Sequence, residues 1–441
     1  MLRHIRRCIG RNRLWLPVSD MEAPVATPNG AARPVPWHRR IYYGWVILGT
    51  VSLTEVVSWG ILYYAFAVFI TPMHTDLGWS QVTLTGAFSL ALLMSGVAAL
   101  PVGRWIDRHG TRALMTIGAI LGSLLLVAWS LVHEIWLFYL IFAGIGVITA
   151  AVLYEPAFAI VATWFQRQRG RALTILTFCG AWASFIFIPL SAWLVETLGW
   201  RQALLALAGI LAAATILPHG LVLRRRPQDL GMLPDGAHTP ITGSVAAASA
   251  EHSLTPTMAL RDSGFWWLSL GFAISTYSSV ALTVHLIPYL VERGHSAGFA
   301  ATVAGLFGLM SLAGRMLIGP LGDRYARRLI ATALLGMQFA GLLVLVLTPT
   351  VIGALVYVAL FGAGAGTMTI MRAAILAERY GAASYGTISG LQQSVLTAAK
   401  TFAPLGAGLI AMLLGGYSGL LWALAALTLL GALALLRVAD H

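Results

Sequence analysis

Long apolar stretches follow one another along most of the chain, with short polar segments between them. Twelve stretches hold about 20 residues or more, enough for an α-helix to cross a hydrocarbon core about 30 Å thick. Their side chains do not alternate between apolar and polar, as they would in a barrel strand. The stretches are 42–70, 81–102, 113–132, 135–162, 172–195, 202–223, 265–290, 299–318, 329–348, 351–375, 386–414 and 418–437. The pattern predicts an all-α membrane protein with twelve transmembrane helices.

Composition and charge agree with this class. The chain is 58% hydrophobic and only 10% charged, which is too apolar for a soluble domain. The net charge of +12 comes from arginines concentrated in every second loop: Arg104, Arg108, Arg112, Arg167, Arg169, Arg171, Arg224, Arg225, Arg226, Arg324, Arg327, Arg328 and Arg379. Because such loops stay in the cytoplasm, we expect both termini there and a location in the inner membrane. We do not expect nucleic acid as a partner.

A polar segment rich in Pro, Gly, Ser and Ala divides the helices into six and six. It predicts a cytoplasmic linker at 224–263, between an N-terminal bundle at 42–223 and a C-terminal bundle at 264–441 that ends in a short tail. The composition of residues 1–41 predicts a disordered cytoplasmic tail and no cleaved signal peptide. Met21 is an alternative start of translation within this tail.

A ten-residue pattern occurs once in each half. The segments GRWIDRHGTR and GPLGDRYARR follow the second and eighth runs, and both contain G-x-x-x-D-R with another arginine four residues later. Two copies at equivalent places predict two six-helix bundles related by a pseudo-two-fold axis. The residues of the pattern are Gly103, Asp107, Arg108, Gly110 and Arg112 in the first copy, and Gly319, Asp323, Arg324 and Arg328 in the second.

With these motifs, residues 42–437 resemble the major facilitator superfamily. The resemblance implies a central substrate cavity that opens to either side as two bundles rock. It also implies that Asp107 accepts hydrogen bonds at the N-terminus of a neighbouring helix, where the dipole favours an anion. Arg108 and Arg112 would complete a charge cluster that closes the cytoplasmic gate. The second copy departs from the pattern at Ala326, where the family has glycine.

Charged residues inside the apolar runs are costly in a membrane and usually mark a cavity or pathway. Three bases, two acids and one histidine lie there: Arg315, Arg372, Lys400, Glu55, Glu155 and His285. The bases exceed the acids by one, which predicts a bound anion. Ser311 and Arg315 share one helix face, as do Gln393 and Lys400, and Tyr154 adds a polar group from helix 4. An arginine fork and a lysine charge together suit a small carboxylate.

A further set of motifs is similar to the monocarboxylate transporter family. The segment WFQRQRGRA begins at Trp164, Tyr-Gly-Trp begins at Tyr43, and Arg226 is followed by proline, as in prokaryotic members. The resemblance implies that Arg315 on helix 8 binds the substrate carboxylate. The oxalate/formate-exchanger branch carries a lysine on helix 11, so the resemblance implies that Lys400 contributes as well.

Two departures concern the proton relay of the animal members. Val68 and Ser311 stand where those members carry a lysine and an aspartate, so their relay does not transfer. If protons are coupled, another intramembrane group must carry them. The candidates are Glu55, Glu155 and His285. Glu155 and Arg372 lie at corresponding points of the two halves, so a structural ion pair is the alternative for them.

These observations predict a secondary transporter of a small organic anion, a monocarboxylate, with protons as the co-substrate and the lipid bilayer as the surroundings of a monomer. An anion exchanger and a proton-driven exporter of another solute are alternatives on the same fold, and a non-transporting membrane sensor is a third. No nucleotide-binding G-x-x-x-x-G-K-[ST] segment and no enzyme site is indicated. Cys8 and Cys179 suggest neither a disulfide framework nor a metal site, and no cofactor is expected.

Overall fold

The computed structural model describes residues 42–236 and 254–438, so the predicted tail at 1–41 and much of the predicted linker lie outside the described residues. Within the described part, twelve helices are long and apolar enough to cross a membrane, which confirms the predicted spans. We number them α1 to α12: Tyr43–Leu77, Val82–His109, Thr111–Ser130, Ile135–Trp164, Arg169–Leu198, Trp200–Val222, Ser263–Glu292, Gly298–Asp323, Arg327–Leu347, Val351–Tyr380, Tyr385–Leu413 and Tyr417–Leu436.

The helices pack in the same way in both halves, which explains the repeated sequence pattern. In the first half, α1 packs on α5, α2 on α4, and α3 on α6. In the second half, α7 packs on α11, α8 on α10, and α9 on α12. The halves meet through two equivalent contacts, α2 with α11 and α5 with α8. The fold is therefore the expected pair of six-helix bundles with pseudo-two-fold symmetry, and the proposed domain boundaries remain a prediction.

Three helices of the first bundle are locally irregular near their middle, α1, α4 and α6, the last with a π-helical turn at Ala212–Ile216. In α4, Leu153 has extended backbone angles, with φ −91° and ψ −153°. Pro156 follows three residues later, and proline lacks an N–H and clashes with the carbonyl four residues before it. The helix therefore restarts at Tyr154, which places Tyr154 and Glu155 at a helix N-terminus inside the membrane. In α1, Gly60–Tyr64 form a π-helical turn, a feature often found at functional sites.

Glycines bring α2 and α11 unusually close. A Cβ atom added to Gly103 would lie 2.0 Å from the Gly386 carbonyl oxygen, and one added to Gly390 would lie 2.3 Å from the Ala99 carbonyl oxygen. Small residues allow such backbone approach between membrane helices. This crossing closes one end of the molecule, the end where α1 begins and α2 ends, which we call the latch face.

Asp262 links the start of α7 to the end of α10 in the second bundle, also at the latch face. Its carboxylate accepts hydrogen bonds from the Gly264 N–H at the start of α7, and from Arg379 Nε and the Tyr380 hydroxyl at the end of α10, over 2.8–2.9 Å. Burial alone would raise the pKa of Asp262, but these hydrogen bonds and the Arg379 charge lower it to about 2. Since the folded pKa is depressed, the contact stabilises the fold above pH ~4 and is lost as the pH falls toward 2.

We expect Gly103→Ala to lower the thermal unfolding temperature of the protein, because the new methyl group must displace the α11 backbone, at a cost of about 1–3 kcal/mol. Gly49→Ala is the matched control, since a Cβ atom there meets nothing within 4 Å. Both changes gain the same helix propensity, about 1 kcal/mol. The measurement is the thermal unfolding temperature of the two purified variants. Equal unfolding temperatures would contradict a close α2–α11 contact.

Candidate functional site

Two aspartates of the repeated pattern each hold a helix of the opposite bundle. The Asp107 carboxylate accepts hydrogen bonds from the Gly386 and Thr387 N–H groups at the start of α11, at 2.7 and 2.8 Å. The Asp323 carboxylate accepts them from the Gly170 and Arg171 N–H groups at the start of α5, at 2.8 and 3.0 Å. A helix N-terminus offers unpaired N–H groups and a positive dipole end, which an anion satisfies. The two contacts are equivalent and join the bundles at the latch face.

The arginines of the pattern make different contacts from those that the resemblance implied. Arg112 donates from Nε to the Gly220 carbonyl of α6 at 2.8 Å, and Arg328 donates to the Val438 carbonyl. In the second copy the arginine beside Asp323 is Arg327, which was not predicted, and it also pairs with Glu378 at 2.9 Å. Arg108 and Arg324 are exposed. Within the described residues, Asp107 is held by backbone N–H groups, and no arginine forms an ion pair with it.

The turns in the two copies of the pattern differ in backbone conformation. Gly110 has a φ of +80°, a left-handed conformation that favours glycine, and α3 begins directly after it. Ala326, at the equivalent position, has a φ of −55°, so a side chain is tolerated there. The second copy reaches this turn through a 3-10 segment at Gly319–Asp323. The departure at Ala326 therefore leaves the Asp323 contact intact.

A third carboxylate at the latch face was missed in the sequence. Asp235 accepts hydrogen bonds from the consecutive N–H groups of Gln166, Arg167 and Gln168, at 3.0, 2.7 and 3.4 Å. Its φ of +57° is the one positive value among the described non-glycine residues. Successive N–H groups in a turn form an anion-binding nest. The segment Pro-Asp-Gly that ends at residue 236 was the available signal, because it is a strong turn sequence.

Deeper in the membrane, Glu155 and Arg372 form an ion pair between the bundles. Arg372 Nη2 donates to Glu155 Oε1 at 2.6 Å, and Ser389 Oγ donates to Glu155 Oε2 at 2.5 Å. Arg372 is 4% exposed. The pair joins α4, α10 and α11, and the break in α4 gives Glu155 the favourable position at a helix N-terminus. Ser389 was not predicted from the sequence.

Arg315 has a different environment although it is also intramembrane. Its Nε donates to the Gly366 carbonyl of α10 and its Nη1 to the Thr177 carbonyl of α5, both at 3.1 Å. These acceptors satisfy two of the five guanidinium N–H groups and do not neutralise the charge. No carboxylate among the described residues lies in an ion pair with Arg315. Ser311, one turn away, packs tightly against Gly366.

Three other predicted residues, Lys400, Gln393 and His285, lie on α11 and α7. Lys400 is exposed, has no hydrogen-bond or ion-pair partner in the described part of the chain, and lies within electrostatic range of Arg372 and Glu155. Gln393, on the same helix, is half-buried. His285 is bonded through Nε2 to the Pro404 carbonyl at 3.2 Å, which ties α7 to α11.

Glu55 is fully buried, and neither carboxyl oxygen has a hydrogen-bond partner among the described residues. The Nε1 of Trp59, one turn further, is also buried and has no partner in this part of the chain. Tyr154 connects this group to Arg315: its ring lies 5.0 Å from the Trp59 ring, and its hydroxyl lies within electrostatic range of both Glu55 and Arg315. Tyr63 and Tyr64 from the π-helical turn extend the aromatic surface beside Trp59. The structure thus gathers Glu55, Tyr154 and Arg315 in one region between the bundles.

Comparison with known proteins agrees with this arrangement. The crystal structure of FucP, a Major Facilitator Superfamily transporter in the outward conformation, matches with a TM-score of 0.68 at 15% identity, over 90% of this chain and all of that one. The fold is therefore that of a twelve-helix membrane transporter. The sequence profile of the Major Facilitator Superfamily matches residues 51–399, with a further match over 268–441. The chain belongs to the Major Facilitator Superfamily.

Relatives within the superfamily are similar at low identity. The human protein named Monocarboxylate transporter 11 is 28% identical over 288 residues, which are 64% of this chain and 57% of that protein. Monocarboxylate transporter 13 from Bos taurus is 24% identical over 80% of this chain and 79% of that protein. An MFS-type transporter from Gibberella moniliformis is 26% identical over 78% of each. The chain is thus related at low identity to the monocarboxylate transporters, and it spans little more than half the length of the human relative.

We expect Asp323→Asn to loosen the α5–α8 contact, because the neutral amide loses the attraction to the helix dipole, up to about 2 kcal/mol. A cysteine at Thr174, a buried residue beside Gly319, would report the opening in a variant that lacks the native cysteines. Its alkylation rate should rise about ten-fold. Asp229→Asn is the matched control, since Asp229 bonds the local Arg226 N–H and no residue of the second bundle that the structure describes. Equal rates in both backgrounds would show that Asp323 does not hold this face closed.

Proposed function

We propose that the protein is a secondary active transporter that moves a small organic anion, a monocarboxylate, together with a proton by alternating access. One observation carries this proposal: Arg315 and Lys400 are intramembrane cations without a carboxylate partner in the described residues, whereas the third base, Arg372, is neutralised by Glu155. For the half-buried Arg315, an uncompensated charge is costly because the surrounding dielectric is low. A substrate carboxylate would supply the missing negative charge. The relationship to proteins named monocarboxylate transporters supports this class of substrate.

Arg315 is the group best prepared to bind the anion. Two backbone carbonyls hold one part of its guanidinium, so its orientation is fixed before the substrate arrives. The remaining N–H groups match the two oxygens of a carboxylate. Lys400, on α11, would bind the same anion or receive it first. Ser311, Gln393 and Tyr154 are the proposed polar neighbours.

Glu55 is the proposed proton site. A carboxylate that is buried without a donor is strongly disfavoured, so the group would be neutral in this state. The Arg315 charge, which lies near the same Tyr154 hydroxyl as Glu55, weakens this preference for the neutral form while the site is empty, and a bound anion would remove that opposing influence. The anion would therefore favour a proton on Glu55, which couples the two movements. Glu155 forms an ion pair and His285 is hydrogen-bonded to a carbonyl, so both are weaker candidates than Glu55 for the proton site.

We further propose that the latch face is cytoplasmic, because the arginine-rich loops lie at this end. The described state would then be open to the outside, and the Asp107 and Asp323 contacts must break for release inward. An inner-membrane location with both termini in the cytoplasm, a monomeric state and bundle limits at 42–223 and 264–441 belong to the same proposal.

The anion site is tested by uptake into proteoliposomes of radiolabelled carboxylates of increasing size, including an aryl carboxylate because of the aromatic surface beside Arg315. We expect Arg315→Ala and Lys400→Ala each to lower uptake more than ten-fold, since truncating a charged partner costs about 2–5 kcal/mol. Arg293→Ala, an exposed arginine bonded to Ser418, should transport like wild type. If both site variants retain full uptake, the anion site lies elsewhere. Counterflow without any response to pH would favour an exchanger.

The proton site needs a separate measurement. Glu55→Gln keeps the shape of the neutral side chain and cannot release a proton, so accumulation driven by an imposed pH gradient should be lost while counterflow of the anion persists. Glu292→Gln, at an exposed glutamate, is the matched control. Accumulation that continues in Glu55→Gln would exclude Glu55 as the coupling group and leave the anion site unaffected.

A further inference from the structure

A basic groove opens on the outer surface of the first bundle, away from the transport site. It lies at the latch face between the start of α3 and the end of α6 and has a volume of about 570 Å³. Three arginines line it, Arg112, Arg224 and Arg225, with His109 beside them. The one acid in the lining, Asp229, accepts a hydrogen bond from the Arg226 N–H. With three arginines against one aspartate, the groove is strongly positive.

The guanidinium groups in this groove are held in place and are not neutralised. Arg112 donates to the Gly220 carbonyl at 2.8 Å, Arg224 to the Leu221 carbonyl at 2.8 Å, and Arg225 to the Arg108 carbonyl at 2.6 Å. Within the described chain, none of the three forms an ion pair. Each arginine therefore spends part of its donors on a helix-end carbonyl and keeps the others for an anion. Such an arrangement suits a phosphate, which accepts the planar arginine fork.

The surroundings of the groove favour a lipid over a free phosphate. The groove lies where α3 begins and α6 ends, so it is at the depth of the lipid headgroups. Ile117 belongs to its lining and is 49% exposed, and exposed apolar side chains continue from it along both helices. These are Leu121 and Leu124 on α3 and Leu217 and Leu221 on α6. A molecule with an anionic head and apolar chains would match both parts.

We propose that this groove binds the headgroup of an anionic phospholipid, with its acyl chains along the exposed faces of α3 and α6. Basic pockets between helix ends on the positive side of a membrane bind such headgroups in general. The groove is also connected to the latch face through a hydrogen bond. Arg225 donates to the backbone at Arg108, next to Asp107, whose carboxylate holds α11. A bound lipid would therefore fix the end of α2 and stabilise the closed latch face.

The test uses the full chain in nanodiscs of phosphatidylcholine, to which phosphatidylglycerol is added. We expect phosphatidylglycerol to raise the unfolding temperature by roughly 5 °C, and inorganic phosphate at the same concentration to leave it unchanged. The combined substitution Arg224→Gln and Arg225→Gln should abolish this increase. The matched control is Arg261→Gln with Arg437→Gln, two arginines at the same face of the second bundle, which should keep it.

Each outcome decides one point. Equal stabilisation by inorganic phosphate would mean that a soluble anion is the ligand, and the lipid assignment would be overturned. An unchanged response to phosphatidylglycerol in the Arg224→Gln, Arg225→Gln protein would place the lipid elsewhere. If that protein does not fold, native mass spectrometry of the wild type decides: retained phosphatidylglycerol but no retained phosphatidylcholine supports the site, and equal retention of both contradicts it.

Discussion

Every backbone N–H and C=O at membrane depth must find its partner within the protein, and most features of this fold answer that constraint. Helices satisfy it along their length, which is why twelve of them form, but each helix end and each interruption leaves groups unpaired. Asp107 and Asp323 take the free N–H groups at the starts of α11 and α5. Because the aspartates belong to the opposite bundles, satisfying the backbone also joins the two halves. Arg315 makes a different kind of contact, because its side chain donates to the mid-helix carbonyls at 366 and 177, which have a second lone pair besides the one used within the helix.

The intramembrane charges divide into those that the protein neutralises and those that it only orients. Glu155 and Arg372 neutralise each other, with Ser389 as an additional donor. Arg315 is oriented by carbonyls, which carry partial charges and leave its net charge in place. Glu55 has neither a cationic partner nor a hydrogen bond within the residues that the structure describes. A charge that is oriented but uncompensated is suited to a ligand that comes and goes, whereas an ion pair suits a contact that persists through one state of the cycle.

The fold could be predicted from the sequence because its signals are local. An apolar run of membrane length and a loop pattern that occurs twice need no knowledge of distant contacts. The site was only partly predictable. The corresponding positions of Glu155 and Arg372 in the two halves suggested an ion pair as an alternative, but whether the pair forms, and that Ser389 joins it, depends on helix packing. Some signals were present but not used. Pro156 marks the break in α4, and the turn at Asp235 marks its carboxylate nest. Gly319 and Pro320 likewise mark the 3-10 segment that precedes Asp323, but they do not indicate that Arg327 is its ion-pair partner.

Under the proposed function, the contacts of α8 suggest how substrate binding would affect the closed latch face. Arg315 and Asp323 lie about two turns apart on α8, and both bind backbone groups of α5, at Thr177 and at Gly170. A carboxylate bound to the remaining N–H groups of Arg315 would neutralise the guanidinium and so weaken its hydrogen bond to the Thr177 carbonyl. Losing that hydrogen bond would leave Asp323 as the main polar contact between α5 and α8. Lys400, by contrast, has no bond to α2 in the described residues, so Arg315 is the cation through which an anion could act on the gate directly.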